Sequence, residues 1–80
     1  MLLDIVKVKP LDGYLLSLVF ENGEQRRFDM SPYMEERPFN RLKESNLFFA
    51  AKAEYGTVVW PGNIDIAPET LYDLSVPVEQ

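Results

Sequence analysis

The sequence predicts an α+β fold, a small and mostly antiparallel sheet in the order βββ-α-ββ-α with short helices packed on one face. Three observations carry this. Short β-rich segments separated by turn residues fill residues 2–29. Ser31-Pro32 and Pro38 then open helical segments. A second β-rich group follows from Ala50 to Ile66, and Pro68 opens a last helix.

In chain order, Leu2 to Lys9 holds Ile5, Val6 and Val8 and stops at the turn cluster Pro10-Leu11-Asp12-Gly13. Tyr14 to Glu21 is a second strand and Glu24 to Asp29 a third. Their junction, Glu21-Asn22-Gly23, sets the register. A two-residue Asn-Gly loop would pair Phe28 with Ser17. A three-residue loop with Gly23 in the left-handed region pairs Phe28 with Leu16 instead. A one-residue slip turns every side chain to the other face, so apolar matching favours the three-residue loop, with Arg26 opposite Leu18. On the second strand, Tyr14, Leu16, Leu18 and Phe20 share one face while Leu15 and Val19 lie on the other. Half-buried strands alternate apolar with polar. A strand apolar on both sides is expected to have its second face covered by other parts of the chain or by a partner.

Ser31 is expected as an N-cap with Pro32 in the first helical position, and Glu35 and Glu36 follow where the helix dipole favours acids. Pro38 starts a second short helix with Phe39 and Leu42 on one face, ending at Asn46; an extension through Phe48 competes with that ending. Ala50 to Tyr55 and Thr57 to Trp60 read as a hairpin turning at Gly56. Trp60-Pro61-Gly62-Asn63 is a tight turn and Ile64 to Ile66 an extended piece. The last helix offers Leu71, Tyr72 and Leu74 for packing. Residues 1–74 thus read as a single domain and 75–80, which include Pro77, as a flexible C-terminal tail.

The net charge of −5 is unevenly placed. Residues 1–52 balance, whereas Glu54, Asp65, Glu69, Asp73 and Glu79 stand in a final third with no base. That stretch reads either as a solvated acidic face or as a surface for a basic partner. There is no Cys, so no disulfide framework. No apolar run approaches the ~20 residues of a membrane helix, and Asp4 stands where a signal peptide carries basic residues. A cytoplasmic protein is expected, without membrane partners.

The chemical inventory is narrow. Without His or Cys there is no Ser-His-Asp triad, thiol nucleophile, or zinc site built on either residue. Phosphate-cradling glycine motifs are absent as well. Asp65, Glu69 and Asp73 recur at a spacing of four, which suits an oxygen-ligand cation site or, more simply, a helix start at Pro68 with solvated acids. Arg26-Arg27-Phe28 could be a basic and aromatic patch for single-stranded nucleic acid, but adjacent strand residues face opposite ways. The arginines are expected to pair with Glu24, Asp29 or the acidic third. Trp60 is either a core anchor with its N–H on a turn carbonyl or an exposed hot spot, and Asn63 and Asp65 are candidates to bond the turn's own backbone. No catalytic residue, cofactor or metal ligand is expected.

Three stretches taken together resemble the small bacterial family known as domain of unknown function 2442. They are Phe20-Glu-Asn-Gly-Glu-Gln-Arg-Arg-Phe-Asp29, Pro38-Phe39 with Leu42, and Val58-Val-Trp-Pro-Gly-Asn-Ile-Asp-Ile-Ala-Pro-Glu69 with Leu71-Tyr72. The resemblance runs from about Leu3 to Tyr72 and implies an α+β domain with a small antiparallel sheet and no characterised activity. It also implies two settings: fusion to a DNA-binding helix-turn-helix, or a stand-alone chain beside a second small protein in a pattern like toxin–antitoxin pairs. This chain is expected to be of the stand-alone type, so direct nucleic-acid binding is not expected.

The function expected is a non-enzymatic protein–protein interaction module that self-associates or binds a small basic partner, as the antitoxin-like half of a two-protein system. Candidate interaction or turn-organising residues are Leu15, Val19, Asp29, Trp60, Asn63, Asp65 and Tyr72. The alternatives are an accessory domain in nucleic-acid regulation acting through a partner, and a carboxylate-based hydrolase uniting Asp29, Asp65 and Glu69.

Overall fold

The computed structural model describes residues 3–78. The fold is mixed α+β, but it holds two antiparallel sheets where one was expected. The first contains β1 (Ile5–Leu11), β2 (Leu15–Phe20), β3 (Gln25–Asp29) and β7 (Val76–Pro77), in the order β1-β2-β3-β7. The second contains β4 (Lys52–Glu54), β5 (Thr57–Trp60) and β6 (Ile64–Ile66) in sequential order. Between the two groups of strands lie a 3-10 turn at Ser31–Tyr33 and a 3-10 segment at Phe39–Ala50, and α1 spans Pro68–Leu74.

The β2–β3 hairpin has the three-residue loop and the register that apolar matching favours. Leu16 faces Phe28 and Leu18 faces Arg26. Phe20 N–H donates to the Glu24 carbonyl (2.9 Å), Gly23 N–H donates back to the Phe20 carbonyl (2.9 Å), and Gly23 takes a φ of 88°. Only a residue without a Cβ adopts that φ at little cost. The first turn comes later than expected. β1 runs through Pro10 to Leu11, and the turn is Asp12-Gly13-Tyr14. Proline is tolerated there because β1 is an edge strand.

Ser31 is not the helix cap. Met30 holds the cap position, the Asp29 carboxylate accepts the Ser31 N–H (2.9 Å), and the Ser31 hydroxyl donates to the Gly13 carbonyl (3.2 Å). Asp29 forms its own short turn more readily than Ser31 caps the next one. The segment after Pro38 is 3-10 rather than α-helical and breaks at Glu44-Ser45-Asn46, where Asn46 has a φ of 58°. Helical turns resume from Leu47 to Ala50, so both the ending at Asn46 and the continuation through Phe48 are partly realised. The Tyr55-Gly56 turn joins β4 to β5 as expected, with both residues at positive φ.

Val58, Trp60, Ile64 and Ile66 are buried and pair across β5–β6 in register, while Val59 and Asp65 share the opposite face. These four join Ile5, Leu16, Leu18, Phe20 and Phe28 from the first sheet, together with Met30, Met34, Leu42, Phe48 and Leu71, in one core. Leu71 and Tyr72 pack as expected from α1, but Leu74 is exposed. Where fraying was expected from Ser75, the chain instead forms β7: Val76 faces Arg27, Pro77 faces Arg26, and Val78 N–H donates to the Gln25 carbonyl (2.9 Å). Residues 79–80 of the expected tail lie outside the described residues.

Candidate functional site

Strand pairing lays out the two faces of the first sheet row by row. On the inner face Pro10, Leu16 and Phe28 form one row, and Val8, Leu18, Arg26 and Pro77 the next; Ile5 faces Phe20 beyond them. The outer face carries Leu11, Leu15 and Asp29; then Lys9, Ser17, Arg27 and Val76; then Lys7, Val19 and Gln25. A β-bulge between Ile5 and Lys7 sets that register, because the extra residue turns Lys7 and Lys9 to the outer side.

The outer face is open. Lys7, Lys9, Gln25, Arg27, Asp29 and Val76 are exposed, and Leu15, Ser17 and Val19 are half-buried among them. Of the two covers expected for the second face of β2, other parts of the chain or a partner, the chain itself leaves this face open among the described residues. A groove of about 570 Å³ runs beside β1, lined by Lys7, Lys9, Ser17, Val19, Lys52 and Glu54 among others. β4 forms its far wall, and the Ile5 N–H bond to the Gly56 carbonyl (2.9 Å) ties the two sheets at one end.

The other candidates lie elsewhere. Trp60 is buried, its Nε1–H donates to the Phe48 carbonyl (3.0 Å), and its ring lies 6.3 Å from that of Phe48, so it anchors the core. Asn63 sits in the β5–β6 turn at a φ of 61°; neither it nor Asp65 donates or accepts a side-chain bond to that turn among the described residues. The left-handed backbone is what Asn63 contributes, since Asn adopts it more readily than most residues. Asp65 is exposed in mid-strand. Tyr72 lies on the inner side, edge-on to Phe20 with ring centroids 5.2 Å apart. Leu15, Val19 and Asp29 thus share one surface, and Trp60, Asn63, Asp65 and Tyr72 do not join it.

The paired arginines face opposite ways. Arg27 is exposed on the outer face, while the Arg26 guanidinium lies 3.7 Å from the Glu24 carboxylate, 4.3 Å from the Tyr72 ring centroid, and on Ser75. Glu24 also stands beside the Tyr72 hydroxyl. By favouring the protonated phenol, together with desolvation and its own negative charge, Glu24 raises the Tyr72 pKa above its ordinary 10.0. Among the described residues no three Asp or Glu side chains gather into a cluster able to hold a metal ion, and Asp29, Asp65 and Glu69 do not line a common pocket. No helix among them is long and apolar enough to cross a membrane.

Residue reading missed the basic character of the outer face. The signal was the alternation Lys7, Lys9 on β1 with Arg27 on β3. It becomes legible only once the bulge and hairpin registers are known.

Residues 5–77 match the family model described as protein of unknown function (DUF2442). No curated protein matches the chain, and neither does any solved structure.

Proposed function

The chain belongs to the DUF2442 family, and on that premise we propose that it is a protein–protein interaction module whose contact surface is the outer face of the four-stranded sheet. The observation that carries this reading is β2 itself. Leu15 and Val19 place apolar area at the centre of an exposed sheet face where solvated strands carry polar residues. The module works by contact rather than turnover. In support, its sequence has neither imidazole nor thiol, and the carboxylates most suggestive of hydrolysis are not gathered together. On the pattern implied by the family resemblance, a small neighbouring protein is the first partner to test, with this chain as the antitoxin-like half.

The test compares wild type with Leu15→Asp/Val19→Asp in two measurements, sedimentation at high concentration and capture from native lysate followed by mass spectrometry. Self-association or a captured partner that is lost in the variant, with circular dichroism unchanged, supports the reading. Wild type that stays monomeric and captures nothing beyond what the variant captures overturns it.

A further inference from the structure

We infer that the outer face of the four-stranded sheet docks an acidic, aliphatic segment of a partner protein; this rests on the contact surface proposed above and adds the chemistry of its occupant. Four of the eight basic residues, Lys7, Lys9, Arg27 and Lys52, stand on this face or on the wall of its groove. None of them has a carboxylate within 4.0 Å among the described residues. Among the described residues Asp29 is the one acid in the rows of the four-stranded face, while Glu54 on the groove wall and Asp65, in the row of Lys52 and Val59, stand beside Lys52. The face is therefore basic on a chain whose overall charge is −5.

The geometry makes the charge unavoidable for any occupant. Lys9 and Arg27 flank Ser17 in one row, and Lys7 faces Val19 directly. Side chains facing each other across neighbouring strands have Cβ atoms about 5 Å apart. A partner that covers Leu15 and Val19 therefore brings its own groups against Lys7, Lys9 and Arg27 and desolvates them at least in part. Burying a cation without a counter-charge costs several kcal/mol, so the partner must bring carboxylates to those positions. Aliphatic groups between them would meet Leu11, Leu15, Val19 and Val76. A single-stranded nucleic acid fits less well, since the rows of this face contain no aromatic ring for bases to stack on. A second copy could present the base-free stretch 53–80, but that contact joins two different surfaces and closes only where its rotation completes a ring, a requirement that a separate partner does not face.

The probe is a labelled synthetic peptide alternating glutamate and leucine, read by anisotropy and by amide shifts in the isotope-labelled protein. Controls are a lysine–leucine peptide of equal length and an oligo-dT strand. The expected result is saturable binding of the acidic peptide that shifts Lys9, Ser17, Val19 and Arg27. Lys9→Glu/Arg27→Glu should weaken it about tenfold or more, with the milder Lys9→Gln/Arg27→Gln intermediate, as for charge pairs at an interface. Three results overturn the inference: no shift on this face, stronger binding there by the basic peptide, or stronger binding there by oligo-dT. Concentration-dependent self-association that shifts the same residues without peptide assigns the face to a second copy and overturns it too. If Leu15→Asp/Val19→Asp abolishes a partner contact while the acidic peptide fails to bind, the contact surface stands and only the acidic occupant falls.

Discussion

Arg26 and Tyr72 are stacked, the guanidinium lying 4.3 Å from the ring centroid. From that position its Nε donates to Ser75 Oγ (2.6 Å) and its Nη2 to the Ser75 carbonyl (2.9 Å), while the Ser75 hydroxyl donates to the Tyr72 carbonyl (2.9 Å). One inward side chain of β3 thereby fastens the end of α1 and the start of β7.

Arg26→Ala should destabilise the fold by about 1–3 kcal/mol, as expected for loss of charge-assisted bonds and a cation–π contact at a partly buried site. Arg26→Lys should not restore it, because an ammonium has no planar fork to bridge ring and Ser75 together. Urea midpoints measure the loss. Amide exchange should show Val78, which donates to the Gln25 carbonyl, becoming the most affected donor.

The Tyr72 phenol should titrate above 10.0, and Glu24→Gln should lower its pKa by removing the charge. The sign follows from linkage. An acid whose folded pKa is raised binds its proton more tightly in the fold, so this contribution is complete below the unfolded value and is lost as pH rises through the folded one. Ultraviolet difference titration follows the phenolate. Wild type should lose stability above pH 10, and Glu24→Gln should lose less.

Gly56→Ala should be more damaging than Gly23→Ala. Both glycines have positive φ, but an added Cβ at Gly23 meets open space, whereas at Gly56 it meets Asp4 Oδ1 at 2.6 Å and Cγ at 2.8 Å. Gly23→Ala should cost about 1–2 kcal/mol of backbone strain alone. Gly56→Ala adds the displacement of the exposed Asp4 carboxylate, a small further cost that Asp4→Ala should remove and that a double-mutant cycle in urea reads.

Trp60→Phe should lose about 1–3 kcal/mol, because it leaves the Phe48 carbonyl without the Nε1–H that satisfies it. Thermal unfolding measures the loss. Lys9→Gln/Arg27→Gln should stay within about 0.5 kcal/mol of wild type, since neither side chain forms an ion pair in the fold.

Much of this architecture follows from short-range chemistry. Asn22-Gly23 with apolar matching places Phe28 against Leu16, Gly56 turns the β4–β5 hairpin, and Pro68 starts α1. Each depends on residues within a few positions of one another, where turn chemistry and side-chain alternation act. The family resemblance from about Leu3 to Tyr72 was legible for the same reason, since its motifs are local strings, and the family model matches residues 5–77. The tertiary structure decided what depends on distant neighbours. Ser75–Val78 joins the sheet because Arg26, 49 positions earlier than Ser75, and the free edge of β3 receive it. The outer face became basic because a bulge in β1 brings Lys7 and Lys9 beside Val19 and Ser17. Periodicity reports which side chains share a side within one element, but only packing decides which strands meet and which side is left to water.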